Sequence, residues 1–313
     1  MTTTAGKATS SKAKPAAKHV ATMQVGGHIS SSGGLYRAIE RATACEMEAI
    51  QVFCAPPQTW RATKHTDDDI ARYRDAHAAS GIGQVWIHNI YLANLATDKP
   101  EQLEKSIGSV VNALQVAERM GAQGVVLHTG SHRGLGVEAV LEQVVGAINV
   151  ILEQAPGEAV LALETMAGQG GAIGTRFEDL GMLIREVGSP RLKTCLDTAH
   201  TFAAGYEIHT PEGLDRAMAE FDRHIGLELL AVVHVNDSKV PLGAFRDRHE
   251  NIGDGEIGTS GFDAMLAHPA FAGRALLLEV PGIPTEASPK GDGPDLENVR
   301  RLKAIRDRAA SKA

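Results

Sequence analysis

Short apolar segments recur along the chain: "MQVGGHIS", "AIQVFC", "VWIHN", "GVVLHTG", "VLALET", "TCLDTAH", "AVVHVND" and "LLLEV". Each is nearly unbroken in its apolarity instead of alternating, the pattern of parallel strands covered on both faces. Amphipathic stretches lie between them. In "EQLEKSIGSVVNALQVAERMGA", Leu103, Ile107, Val110, Leu114, Ala117 and Met120 fall three or four residues apart. They make one face of a helix, which Gly121 stops. "TPEGLDRAMAEFDRHIG" opens on a Thr-Pro start signal and also closes on glycine. Strands alternating with helices, roughly 25 to 45 residues apart, predict an α/β fold, a (β/α)8 TIM barrel of about 250 residues. The alternative is a doubly wound open sheet, but no G-x-G-x-x-G follows the first strand.

The barrel is expected over residues 23–285, with 286–313 as a C-terminal linker and helix packing on it. Residues 1–22 stand apart. They carry Lys7, Lys12, Lys14 and Lys18, no acidic residue and no apolar core, so they read as a disordered basic tail and not a secretory signal. A hydrophobic content of 43% is enough for a sizeable core. Cys45, Cys54 and Cys195 are widely spaced and form no C-x-x-C pair. That argues against a disulfide framework or thiolate zinc, and for a reducing compartment, the cytoplasm. No apolar run approaches the roughly 18 residues of a membrane span. A net charge of -7 would ordinarily count against a nucleic-acid partner, although bound cations would change that figure.

The C-terminal ends of the strand segments hold His88, His128, Glu164, Asp197 with His200, His234 and Glu279. In a barrel these ends surround one mouth, where active sites are built. Any one of them alone reads as a hydrogen-bonded structural residue; six strands in succession do not. Asp247 and His249 bring the set to nine, five imidazoles and four carboxylates. Nitrogen and oxygen donors without thiolate suit zinc, with manganese or iron as alternatives. Nine ligands exceed what one ion takes, so two ions are needed and three are accommodated if a carboxylate bridges. Three divalent ions would nearly cancel the net charge and place positive potential at the mouth, which favours an anionic substrate. Clustered divalent ions facing a hard-oxygen substrate point to phosphate ester cleavage.

Longer segments carry a resemblance. "LALETMAGQG", "CLDTAHTFAAGYEIHT" and "HVNDSKVPLGAFRDRHENIGDGEIG" closely resemble the signature segments of the endonuclease IV family of apurinic/apyrimidinic endonucleases, and "GGHISSSGG" and "HNIYLANLA" resemble its first strand and third-strand loop. The resemblance spans roughly Met23 to Ile283. It implies a xylose-isomerase-like barrel holding three Zn2+ ions that cuts double-stranded DNA on the 5′ side of an abasic site, leaving a 3′-hydroxyl and a 5′-deoxyribose phosphate. DNA with 3′-blocked damage is a further implied substrate. By this resemblance His88, His128 and Glu164 would hold one zinc. Glu164 would bridge to a second, held by Asp197, His234 and Glu279, and His200, Asp247 and His249 would hold the third. Glu164 and Glu279 would be catalytic, flanking a metal-bridging hydroxide. A monomer is expected.

The same resemblance points to DNA contacts. Tyr91 and Leu92 occupy the loop that wedges into the duplex in this family, with packing under that loop as the plain alternative. The loop after the second strand departs from the family. It reads "CAPPQTW", keeping Trp60 but placing Gln58 where arginine is expected, behind Pro56 and Pro57. Gln58 donates hydrogen bonds without charge, so lesion affinity or damage range is expected to differ. Lys239 reads as a phosphate contact or a solvated loop lysine, and His28 as a partner of a ligand or as core packing. "GQGGAIG" lacks the P-loop lysine and reads as a flexible loop. His65, His77, His132, His209, His224 and His268 read as surface residues. Two other functions fit part of the pattern. A metal-dependent sugar isomerase or epimerase needs only one or two ions and leaves the third set unexplained. A non-catalytic DNA-damage binder would have no use for a full ligand set.

Overall fold

The computed structural model describes residues 23–312; the expected basic tail lies outside them. Seven strands come first: β1 (Gln24–His28), β2 (Ala49–Phe53), β3 (Val85–His88), β4 (Gly124–Leu127), β5 (Val160–Glu164), β6 (Leu192–Asp197) and β7 (Leu230–His234). A short antiparallel ribbon follows, β8 (Asp237–Ser238) with β9 (His249–Glu250), and then β10 (Ala275–Leu278). Strands β1 to β7 and β10 close into a barrel in which every pairing is parallel. Helices cover its outside: α1 (Leu35–Ala44), α2 (Asp67–Ser80), α3 (Pro100–Met120), α4 (Val137–Gln154), α5 (Phe177–Val187), α7 (Pro211–His224) and α8 (Gly258–Ala267), while the short α6 (Thr198–Ala203) follows β6 directly and packs on it and on β8. The chain ends in α9 (Leu296–Lys312), which packs on α8 and β1.

Local chemistry sets the helix ends. Thr66 and Asp69 form a reciprocal capping box at the start of α2. Pro100 and Pro211 open α3 and α7 at positions where a helix needs no amide hydrogen. Gly121 ends α3 at φ 74°, a conformation that costs other residues strain.

The uniform apolarity of the strands hides a two-residue period between two separate cores. Outward residues such as Ile50, Val52, Val125, Leu127, Leu161 and Leu163 pack with the helices in the larger core. Inward residues form a second cluster: Ala49, Trp86, Val126, Ala162, Cys195, Val232, Ala275 and Leu277. Trp86 is the largest of them and is only 2% exposed. Because side chains alternate along a strand, the residue two positions further on also faces inward, one level nearer the mouth. Those residues are Gln51, His88, His128, Glu164, Asp197, His234 and Glu279. The inward stacking of layers thus converts a strand-end position into a position over a dry floor.

A candidate metal centre at the barrel mouth

Of the nine expected ligands, His88, Glu164, Asp197 and His234 are the last residues of their strands, and His128 and Glu279 lie one residue beyond β4 and β10. His200 is not on a strand. It sits in the first turn of α6, where its amide donates to the Asp197 carboxylate at 2.8 Å and makes Asp197 the helix N-cap. Asp247 lies in the segment between β8 and β9, and His249 opens β9. All nine meet at the mouth.

Four of the imidazoles have one ring nitrogen committed to a partner that orients the ring. His88 Nδ1 donates to the Asn89 carbonyl (2.6 Å), His200 Nδ1 to the Thr165 carbonyl (2.9 Å) and His249 Nδ1 to the Glu279 carbonyl (3.2 Å). His234 Nε2 donates to Gln51 Oε1 at 2.9 Å. Since these acceptors carry no proton, the opposite nitrogen of each ring presents its lone pair to the cluster.

These lone pairs face carboxylate oxygens. Glu164 Oε2 lies 3.3 Å from His88 Nε2 and 3.1 Å from His128 Nε2. Its other oxygen lies 3.1 Å from His234 Nδ1, which is also 3.4 Å from Glu279 Oε2 and 3.8 Å from Asp197 Oδ2. Asp247 lies 3.3 Å from both His200 Nε2 and His249 Nε2. Donor atoms held about 2.0 to 2.1 Å from a tetrahedral ion are roughly 3.3 Å apart, so the spacing suits shared cations. The Nε2 atoms of His200 and His249 are buried and have no hydrogen-bond partner, as a coordinating nitrogen would. Three groups have donor atoms mutually within 4.8 Å: His88–His128–Glu164, Glu164–Asp197–His234–Glu279 and Asp197–His200–His249. The last makes Asp197 a neighbour of the third set as well as the second. Cys195 also comes within this distance of Glu164 and His234, from the floor below.

The electrostatics agree. Burial alone would raise the Glu164 carboxyl, but His234, His128 and His200 outweigh it and hold it well below the usual carboxylate range. Burial would likewise lower His200 and His234. Instead Asp197, Asp247 and Glu164 hold His200 well above its ordinary value, and Cys195, Glu279 and Glu164 do the same for His234. Against its own burial, Asp247 is drawn down to about 2 by His200 and His249. The mouth therefore attracts positive charge, as protons or as metal ions.

The chain matches the model of the xylose isomerase-like TIM barrel family over residues 39–304. It is 37% identical over 260 residues to "Probable endonuclease 4" of Halothermothrix orenii, an alignment covering 83% of this chain and 94% of the relative. Endonuclease IV from Thermus thermophilus superposes with a TM-score of 0.78 at 32% identity, over 93% of this chain and all of that one. The chain belongs to the endonuclease IV family. A D-tagatose 3-epimerase-like protein also superposes, with a TM-score of 0.65 over 93% of this chain and 98% of that one, but at 17% identity it shows a shared fold alone.

Within this endonuclease IV family chain, the candidate ligands have supports, of which the sequence singles out only His28. Gln51 accepts from His234, and its Nε2 donates to Glu279 Oε1 at 2.7 Å and approaches His28 Nδ1 at 3.0 Å. Its one visible signal is a polar residue inside the apolar run "AIQVFC". His28 lies 3.2 Å from Oε1 of the candidate ligand Glu279, with burial holding its imidazole below the ordinary value. Asn236 spans two ligands, donating to Asp197 Oδ2 and accepting from the Glu279 amide, each at 2.7 Å. Asp237 is fully buried and accepts backbone amides from Ser238, Gly253, Gly255, Ile257 and Gly258, which fastens the segment following His249.

The expected DNA-contact residues are scattered around the rim. Tyr91 is 50% exposed, and its ring lies 5.3 Å from His88 and 5.7 Å from His128. Leu92 and Trp60 are half-buried, and Trp60 lines a cleft of about 220 Å³ against α3. Gln58 is exposed, and the Tyr91 amide donates to the Pro57 carbonyl, tying the two loops together. Lys239 pairs with Glu250 at 3.4 Å, on the ribbon that carries His249. The "GQGGAIG" segment is fastened by a 3-10 turn at Gln169–Gly171 and a bridge from Ala172 to Ser131. The six histidines expected on the surface are all half-buried, their rings held by nearby backbone or side chains. His65 binds the Cys54 carbonyl, His77 the Gly83 carbonyl, and His132 accepts from the Gly134 and Gly136 amides. No helix among the described residues is long and apolar enough to cross a membrane.

Proposed function

We propose that this chain hydrolyses the phosphodiester on the 5′ side of abasic sites in double-stranded DNA, as a zinc-dependent endonuclease of base excision repair. The convergence of three donor sets on one mouth, with imidazole nitrogens facing carboxylates 3.1 to 3.4 Å away, carries this reading. Three Zn2+ ions fit. His88, His128 and Glu164 would hold one, Glu164, Asp197, His234 and Glu279 the second, and His200, Asp247 and His249 the third. When bound, such ions turn water into a nucleophile near neutral pH and offset charge on the attacking and leaving oxygens.

The residues of the chain orient that chemistry. Glu164 turns one oxygen to each of two donor sets, so it would bridge them. Gln51 and His28 occupy Glu279 Oε1 and leave Oε2 facing His234. The Trp86 floor excludes water from below and so strengthens every charge interaction above it. Tyr91 and Leu92 would wedge into the duplex, with Gln58, Trp60 and Lys239 as outlying DNA contacts. Action as a cytoplasmic monomer completes the proposal.

The test is incision of a duplex carrying one tetrahydrofuran abasic analogue, beside the undamaged duplex, with metal-replete and chelated protein. A 5′ cut that leaves a 3′-hydroxyl and is lost on chelation is expected. An intact analogue with metal-replete protein overturns the reading and turns attention to phosphorylated sugars.

A further inference from the structure

Soluble proteins leave single apolar side chains exposed in many places, but here their distribution is uneven. Of the five exposed large hydrophobic residues among the described residues, Tyr91, Leu135, Leu242 and Phe245 stand on loops at the mouth, and only Val150 lies elsewhere, on α4. Phe245 is the one whose surroundings identify what it meets. It is 52% exposed and sits at φ 52°, a left-handed conformation unusual for a bulky residue. Such strain persists only where the surroundings impose it, and it gathers at functional sites. Here the Phe245 amide donates to the Ala203 carbonyl at 2.9 Å, at the end of the helix that carries His200. The ring lies close over Gly168, where a side chain would collide with it at 2.7 Å. One part of the ring is thus held, and the rest faces an open cleft of about 670 Å³ shared with Tyr206, Thr175 and Arg176.

Its neighbours in sequence complete the picture. Phe245 is followed by exposed Arg246, by the ligand Asp247, and by exposed Arg248. Two residues of chain place it within about 7 Å, backbone to backbone, of the third donor set. A rigid aromatic with cations beside it, at the lip of a charged mouth, matches what binds unpaired nucleobases: a stacking surface next to phosphate-attracting side chains. After β3, beside His88 and His128, Tyr91 offers a second exposed ring.

We propose that Phe245 is a base-stacking residue that receives an unpaired nucleobase of the damaged duplex and so helps to seat the lesion over the ligands. This inference rests on the reading of the chain as a DNA endonuclease. Phe245 contributes to substrate capture, while Arg246 and Arg248 supply the charge that brings the backbone near.

Single-turnover cutting of the abasic duplex at rising protein concentration separates the half-saturating concentration from the maximal rate. Phe245→Ala is expected to raise the former on the order of 10- to 100-fold and to leave the latter within about twofold. Metal content and the salt dependence of binding should not change, because the ring is neutral and is not a ligand. Phe245→Trp and Phe245→Tyr should restore capture; Phe245→Leu should not. A Phe245→Ala protein that saturates like wild type, a full rescue by leucine, or a loss of metal overturns the proposal. Wild-type protein that neither binds nor cuts the duplex sinks the parent reading and this one together, an outcome distinct from normal cutting by an unaffected variant.

Discussion

The two inward layers of the barrel are made by the same strands, two residues apart, and differ completely in chemistry. The lower layer holds Ala49, Trp86, Val126, Ala162, Cys195, Val232 and Leu277; the upper holds Gln51, His88, His128, Glu164, Asp197, His234 and Glu279. A strand that ended one residue earlier or later would turn an outward residue to this level instead. The upper layer is costly for a protein, since buried charges are stable only when paired or bound to cations. The lower layer carries no such cost and supplies packing. Stability and chemistry are thus separated by about 7 Å along each strand.

That separation should survive substitution. Trp86→Ala empties the floor and is expected to lower stability by about 3 to 5 kcal/mol. Denaturant unfolding would measure the loss, with tight metal binding retained at temperatures where the variant is folded. If metal content falls while stability holds, the two layers are not independent. Gln51→Leu asks the opposite question. It removes the acceptor that orients His234 and one donor to Glu279, so metal affinity or cutting should drop by about 10- to 100-fold, with a smaller effect on stability. Metal retention on dialysis against a weak chelator gives the answer.

Gln58→Arg moves the comparison up to the rim. A guanidinium there should tighten abasic-DNA binding and steepen its salt dependence by about one unit of slope, without touching the rate at saturation. Binding titrations at several salt concentrations would show it, and an unchanged slope removes Gln58 from the interface.

The smallest effect lies below the floor. Burial would raise the Glu48 carboxyl, yet Arg306 of α9 and the Val25 amide outweigh it and leave it below its ordinary value. A carboxyl depressed in the folded state stabilises above its unfolded pKa, and that contribution fades as pH falls through the folded pKa. Glu48→Gln should therefore cost no more than about 1 kcal/mol at neutral pH, given the exposure of the pair, and almost nothing in acid. Urea unfolding at pH 7 and pH 3 distinguishes this from a loss of packing, which would persist at both.

Six of the nine candidate ligands, His88, His128, Glu164, Asp197, His234 and Glu279, are legible because two local rules place them: strand period decides which residue faces inward, and strand polarity decides which end is the mouth. Asp247 and His249 lie outside those rules, beyond the barrel strands. His200 escaped the first rule, since the chain turns into α6 at Asp197 and helical geometry carries it back over the cluster. The supports were harder to see. Gln51 meets His234 across 183 residues of sequence and Glu279 across 228, and nothing local to "AIQVFC" announces either partner. Asp237 gathers amides from residues up to Gly258, 21 positions along the chain, and nothing local to it signals those partners. Phe245 is silent in the sequence, because a lone phenylalanine in a loop gives no sign that its backbone is left-handed or its ring half in solvent.

The closed floor has a consequence for traffic. With Trp86 and its neighbours buried beneath it, the candidate ligand cluster opens toward the mouth, and a substrate seated across the mouth would stand in the way. Ions would then be exchanged only between visits, and a chelator added to a preformed complex would have to wait for the DNA to leave.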